Sequence, residues 1–149
     1  MSMRWTATVA TALFLALVSG SRAQGRDEVL GFSTPSKNIG CQYARFDAQP
    51  NAAGFPATLR CDVRTGLHPK PARPRRCDLD WGDSLEMRKR GRVDVVCHGD
   101  TALGSKHILR YGQTWRHDGF TCRSRMTGLT CRNLSGHGFF LSRQRSRTF

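Results

Sequence analysis

The chain has 149 residues, and its 24 lysines and arginines outnumber 11 aspartates and glutamates, which gives a net charge of +13. This length suits one domain with a modest core and argues against a second domain. Twenty of the 24 bases are arginine, whose planar fork binds phosphate or carboxylate. The charge therefore permits anionic partners, although it would also serve solubility alone.

The N-terminus has the pattern of a secretory signal peptide, residues 1–23. Arg4 precedes the uncharged stretch Trp5–Val18, about 14 residues, whereas a membrane-spanning helix needs roughly 20. Small residues at Ser21 and Ala23 predict cleavage after Ala23, leaving 24–149 with a net charge of +11. An uncleaved membrane anchor is the alternative. A lipid anchor is disfavoured because a lipoprotein signal would need a cysteine at the position of Ser21. We expect a secreted or periplasmic protein with no transmembrane segment in its mature part.

Strand-like segments recur along the mature chain. They are rich in β-branched, aromatic and leucine residues, are separated by Gly, Pro, Asn and Asp, and show no sustained helical periodicity. Arg90-Gly91 is predicted to turn a hairpin, and 68–76, HPKPARPRR, with three prolines and four bases, is predicted to be an exposed basic loop. The expected strands are 30–34, 38–44, 57–63, 84–89, 92–97, 107–111, 119–124, 128–133 and 138–142.

The mature segment contains all six cysteines, an even number that predicts three disulfides in an exported chain. A zinc site is disfavoured because there is no Cys-x-x-Cys pair. The fold class is therefore all-β: a small disulfide-stapled sandwich or barrel-like domain of short antiparallel strands. The expected bridges are Cys122–Cys131, then Cys41–Cys61, and by elimination Cys77–Cys97.

The clearest bridge is the one at Cys122 and Cys131. A two-residue loop at Met126-Thr127 would place these cysteines opposite each other at a non-hydrogen-bonded site, where the strands are close enough for a disulfide. A bulge at Gly128 would shift that register by one residue.

A weak internal similarity predicts a pseudo-repeat. Gly31-Phe32 and Gly119-Phe120 each precede a serine by the same distance, and the units 38–41 and 128–131 each end in cysteine. Two similar strand-turn-strand units would explain this pattern, and chance is the alternative.

Several motifs in order carry a resemblance over residues 31–149. They are FSTPSKNIGCQY from Phe32, LRCDV from Leu59, DWG from Asp80, CHGDT from Cys97, YGQTW from Tyr111 and GLTCRNLSGHGFFLSR from Gly128. Together they resemble a family of small exported bacterial proteins classed as a domain of unknown function. The resemblance implies export, about six structural cysteines and a β-rich fold. It implies no catalytic residue.

Acid–base chemistry has three weak candidates. His137 stands between two glycines, and His98 lies close to Asp100. A ribonuclease-like hydrolase using His137 with His98 or Asp100 would need these groups to converge. Ordinary turns at His137 and Asp100 are the alternative that we favour. His107 and His117 have no metal-binding spacing, and we expect no metal and no cofactor.

Anion binding has a different set of candidates. Arg73, Arg75 and Arg76 in the proline loop, with Arg143, Arg145 and Arg147 near the C-terminus, could form a patch for an anionic polymer or an envelope protein; a solvated loop and a frayed terminus are the alternative. Trp81, Tyr111 and Trp115 are expected to be core or rim aromatics. Our leading hypothesis is a monomeric, non-enzymatic binding module.

Overall fold

A computed structural model describes residues 27–149, and this part of the chain is all-β, with ten strands and no helix. The predicted signal peptide and its cleavage site lie outside the described residues. The described part contains no helix of the length and apolarity that a membrane crossing requires. The strands are β1 (Glu28–Ser33), β2 (Ile39–Phe46), β3 (Phe55–Val63), β4 (Ser84–Arg88), β5 (Val93–Val95), β6 (Thr114–His117), β7 (Phe120–Arg125), β8 (Gly128–Arg132), β9 (Gly138–Leu141) and β10 (Ser146–Thr148).

The strands form two five-stranded antiparallel sheets. The first has the order β1-β2-β3-β4-β5 and the second β10-β9-β8-β7-β6, so each is a meander in which neighbours in sequence pair. Both sheets contribute to one hydrophobic cluster, which makes the architecture a sandwich. The predicted fold class is confirmed.

The core follows from the two-residue repeat of a strand. In β3, the side chains of Leu59, Cys61 and Val63 are buried in the core between the sheets, and in β8, which belongs to the second sheet, Leu129 and Cys131 are buried in the same core. Each large apolar side chain that is fully buried contributes about 1.5–3 kcal/mol to folding. The alternation in the sequence therefore determines which face of each sheet turns inward.

Aromatic contacts show how the sheets are stacked. The rings of Phe32 in β1 and Trp115 in β6 have centroids 5.2 Å apart, and those of Tyr43 in β2 and Phe120 in β7 are 6.0 Å apart. Strands that hold the same place in their meanders thus face each other across the core.

All three expected disulfides are confirmed. Cys41–Cys61 joins β2 to β3 and Cys122–Cys131 joins β7 to β8, each between directly opposite residues with Cα atoms 4.0 Å apart. Cys77–Cys97 connects the end of the proline loop to the segment after β5. The β7–β8 hairpin has the predicted register, since Arg125 pairs with Gly128 around a two-residue loop and no bulge shifts the cysteines.

The strand predicted at 107–111 is wrong. Only Ile108 forms an isolated bridge there, to Ser33, and the chain turns at Gly112, where φ is +87°. The strand in this part of the chain is β6, which begins three residues after the predicted segment ends and which the sequence analysis missed. Asp118 and Gly119, both with positive φ, form the two-residue turn that pairs β6 with β7.

The C-terminus is not frayed. Ser146–Thr148 forms β10 on β9, and the backbones of Phe149 and Gly138 exchange hydrogen bonds of 2.9 and 3.0 Å. Only four residues separate β9 from β10, but Ser146–Thr148 contains no apolar residue, which explains why the tail had no strand signal of its own.

The pseudo-repeat lies one strand away from where the sequence similarity predicts it. The motifs align β1–β2 with β7–β8, so that Cys41 matches Cys131. The disulfides instead make β2–β3 equivalent to β7–β8, the second and third strands of each meander. The repeat is therefore one of architecture rather than of the aligned motifs.

Candidate functional site

The proline loop, 68–76, is exposed and contains no strand, as predicted. The three arginine side chains it carries are all in exposed residues, but they differ in their contacts. Nη1 of Arg73 donates to the backbone oxygens of Cys77 at 3.1 Å and Leu79 at 2.6 Å. Arg73 therefore braces the loop, whereas Arg75 and Arg76 make no such contact in the described structure.

Three hydrogen bonds join the proline loop to the C-terminal strand. The backbone nitrogen of Ser146 donates to the oxygen of His68 at 2.7 Å, and Oγ of Ser146 donates to the same oxygen at 3.0 Å. The nitrogen of His68 donates to Oγ of Ser146 at 2.8 Å. Pro69, Pro71 and Arg147 line a small cleft of about 170 Å³ between the two segments. The structure therefore makes neighbours of the two arginine-bearing segments that the sequence analysis singled out.

The tail arginines are also exposed. The guanidinium of Arg145 lies 5.5 Å from the ring centre of Phe140, and that of Arg147 lies 5.8 Å from the ring centre of Phe149, both within cation–π range. We call Arg73, Arg75, Arg76, Arg143 and Arg145 the arginine surface. Within residues 27–149, no acidic side chain forms an ion pair with any of these five.

A cleft of about 310 Å³ opens beside Arg143, and we call it the polar cleft. The β1–β2 turn, the segment after Ile108, the β7–β8 turn and the segment after β9 form its walls. It contains no acidic residue, and Tyr111, expected to be a core or rim aromatic, has 43% of its surface exposed here. Its lining includes Thr34, Ser36, Tyr111, Arg125, Thr127 and Arg143.

A second cleft, of about 750 Å³, is more apolar. Phe46, Phe55 and Leu134 line it together with Arg88 and Arg90. The sequence analysis missed both clefts because each is assembled from segments that are far apart in the chain.

Asp62 is a buried carboxylate held by several donors. It accepts hydrogen bonds from Nε of Arg60 at 2.8 Å, Oγ of Ser84 at 2.7 Å, the nitrogen of Ala102 at 2.7 Å and Oγ1 of Thr101 at 3.1 Å. Burial opposes its ionisation, but the bonds from Arg60, Ala102 and Ser84 outweigh this effect and hold the pKa of Asp62 below its usual value. This network fastens the loop after β5 to the outer face of the first sheet.

The same network engages two of the proposed acid–base residues. Nε2 of His98 lies 2.9 Å from Oδ1 of Asp83, and Nδ1 lies 2.6 Å from the backbone oxygen of Asp100. The carboxylate of Asp100 instead accepts from Arg60 at 2.6 Å, and this bond lowers its pKa. The structure therefore brings His98 and Asp100 together, but through the backbone of Asp100 rather than its carboxylate.

His137 has other partners. Its Nδ1 lies 3.3 Å from the backbone oxygen of Phe149, and its own backbone oxygen accepts from the nitrogen of Asn133 at 2.9 Å. None of the hydrogen bonds described for His137 reaches His98 or Asp100. Over residues 27–149, no group of three or more His, Cys, Asp and Glu side chains is arranged to hold a metal ion.

Comparison with known proteins agrees with the resemblance seen in the sequence. The profile of a family of unknown function, DUF6636, matches residues 10–149. No curated protein and no solved structure matches the chain. Because the match extends over nearly the whole sequence, the chain belongs to the family of unknown function DUF6636.

Proposed function

We propose that the protein is an exported, non-enzymatic binding module that holds an anionic polymer on its arginine surface. The observation that carries this proposal is the set of three hydrogen bonds between His68 and Ser146, which places the proline loop beside the C-terminal strand. Two short basic segments, neither of them a binding site by itself, are thereby in contact, and this contact supports a shared binding surface.

Three acidic side chains are paired with bases outside the arginine surface. Asp62 and Asp100 are bound by Arg60, and Asp118 is bound by Lys89 at 2.5 Å. These three carboxylates are therefore engaged in ion pairs with Arg60 and Lys89, and the arginine surface remains available to an external anion. Arginine suits this task because its fork makes paired hydrogen bonds to phosphate or sulfate.

Export is part of the proposal. Three disulfides fit an oxidising compartment, since the cytosol keeps most thiols reduced. The signal-peptide pattern supports the same conclusion. Expression with the natural N-terminus, followed by fractionation and mass measurement, tests this: we expect a product outside the cytoplasm that begins at Gln24 and contains no free thiol. A cytoplasmic, reduced product would contradict export.

The salt dependence of binding tests whether the ligand is an anionic polymer. Oxidised protein should bind polyphosphate or dextran sulfate, should not bind neutral dextran, and should lose affinity as salt rises because counterions compete for the arginines. Replacing Arg75 and Arg76 by glutamine should lower the slope of log affinity against log salt by about 1 to 2.

The matched control removes the same charge elsewhere. The Arg88→Gln, Arg90→Gln protein keeps the arginine surface and should retain most of the slope. Equal losses in both variants would indicate a general charge effect and overturn the proposed surface. Binding of neutral dextran, or of an envelope protein in place of the polymers, would overturn the choice of partner.

The alternative, a small hydrolase, has less support. Catalysis by His98 would require release of Asp83 or of the Asp100 backbone, and Asp100 would have to leave Arg60. A direct assay for ribonuclease activity in wild type and His137→Ala protein tests it, since only a hydrolase would lose turnover in the variant.

A further inference from the structure

The polar cleft differs from the rest of the arginine surface because it is concave. Its volume of about 310 Å³ lies at the small end of the range for ligand pockets, about 300–1,000 Å³. A space of this size accommodates one unit of a polymer rather than a long stretch of it. The cleft is therefore suited to recognise a chemical group, whereas the proline loop is suited to attract charge.

Local structure holds the walls of the cleft in place. On one side, the backbone of Thr34 donates to Ile39 at 2.9 Å and accepts from Lys37 at 2.8 Å, which closes the β1–β2 turn. On the floor, a side chain at Gly128 would collide with the backbone oxygen of Leu141, so β8 and β9 approach each other closely there. The cleft is thus built from short turns on two paired sheets.

Two arginines supply the charge of the cleft. Arg125 ends β7, and Arg143 follows β9. Both residues are exposed, neither forms an ion pair within the described residues, and the lining contains no acid. Two guanidinium groups carry two positive charges, which a phosphate group, with a charge of about −1.5 to −2 and three acceptor oxygens, balances better than a singly charged carboxylate.

Tyr111 supplies a flat apolar surface beside that charge. The turn that carries it is held by bonds from Gly112 to Ser124 at 2.8 Å and from Gln113 to Arg110 at 3.0 Å. Because 43% of the residue is exposed, its side chain is accessible to a ligand in the cleft. Side-chain hydroxyls of Ser36 and Thr127 also line the cleft and favour a hydroxylated partner.

We propose that the polar cleft binds one phosphorylated sugar unit. The phosphate lies between Arg125 and Arg143, and the sugar ring packs against Tyr111. This inference rests on the proposed function, because it names the chemical unit of the anionic polymer that the arginine surface attracts.

The test compares monomer and polymer binding. Chemical-shift titration of the oxidised chain with a hexose phosphate should show binding, and Arg125→Gln or Arg143→Gln should weaken it at least about tenfold. Tyr111→Ala should weaken it as well, and Tyr111→Phe should restore most of the affinity because the ring is kept. Arg123→Gln, which removes an equal charge from β7 outside the cleft, should leave monomer binding unchanged.

Each contrary result has a distinct meaning. Inorganic phosphate, a hexuronic acid or a neutral hexose binding as tightly as the hexose phosphate would overturn the assignment of the sugar phosphate. Failure of the hexose phosphate to bind, with polyphosphate binding still dependent on Arg75 and Arg76, would overturn this inference and leave the proposed function standing. Failure of both monomer and polymers would overturn the two together.

Discussion

Arg60 and Asp62 form an ion pair at 2.8 Å in which the carboxylate side chain is only 1% exposed. Both residues lie on β3, two positions apart, so their side chains share one face of the first sheet. Arg60 also reaches Asp100 at 2.6 Å, and Asp62 accepts from Ala102. This pair therefore connects the sheet to the loop after β5, and much of that loop's structure depends on it.

Asp62→Asn should destabilise the protein. The substitution removes the charge that compensates Arg60, whose side chain is 12% exposed. Breaking a buried pair in this way costs about 3 kcal/mol or more of unfolding free energy. Urea unfolding measures the loss. Asp94→Asn, at an exposed position of β5, should change stability by less than about 0.5 kcal/mol, and equal effects of the two would contradict the role of Asp62.

Acid should weaken the fold through the same carboxylate. The pKa of Asp62 in the folded chain lies below the usual 3.8, and that of Asp118 is lowered as well: burial opposes ionisation, but bonds from Lys89 and Tyr43 outweigh it. Their stabilisation is fully present above the unfolded value and is lost as pH falls through the lowered folded values. Denaturant midpoints measured from pH 7 downward should drop below about pH 4, and Asp62→Asn should show a shallower drop. Parallel curves would contradict this.

Tyr43 should resist ionisation at high pH. Its ring is buried and its hydroxyl donates to Asp118 at 2.7 Å; burial, then this bond, raise the pKa far above the usual 10.0. Stability that depends on the neutral phenol is present below that usual value and is lost as pH rises beyond it. In the Tyr111→Phe protein, where Tyr43 is the remaining tyrosine, phenolate absorbance should appear together with unfolding. Titration of a fully folded chain near the usual value would be inconsistent with the buried phenol.

The Cys77–Cys97 bridge should control the proline loop. Replacing both cysteines by serine leaves the two core disulfides intact, so the sheets should stay folded while the loop loses its tether. We expect faster tryptic cleavage at Arg75 and Arg76 and weaker binding to polyphosphate. The Cys122→Ser, Cys131→Ser protein should instead lose about 2–5 kcal/mol of stability without selective cleavage. Unchanged loop protection in the first variant would refute this role of the bridge.

Local signals explain where the sequence analysis succeeded and where it failed. Cys122 and Cys131 are nine residues apart around a two-residue loop, so hairpin geometry was sufficient to pair them. Asp118-Gly119 is an equally local signal for the β6–β7 turn, and the missed strand before it could have been found. β10 could not be found in this way, because Ser146–Thr148 contains no apolar residue, and one of the hydrogen bonds that hold it comes from the distant His68.

For the candidate site as well, some features could be predicted from the sequence and others only from the structure. The sequence alone indicated the exposed proline loop, since prolines cannot lie inside a sheet, and it indicated that the tail is basic. The tertiary structure decided that these two segments touch at His68 and Ser146, and that His98 is already bound to Asp83. Such contacts join residues far apart in the chain, and single-sequence patterns report only neighbours along it.

The amino-acid sequence by itself determined the strand content, the three disulfides and the excess of arginine, because each depends on composition, on spacing or on a two-residue alternation. Only the tertiary structure decided that the proline loop contacts the C-terminal strand and that Arg125, Arg143 and Tyr111 line one cleft. The physical reason is that the stacking of two meanders, driven by burial of their apolar faces, brings together turns that have no interaction along the chain.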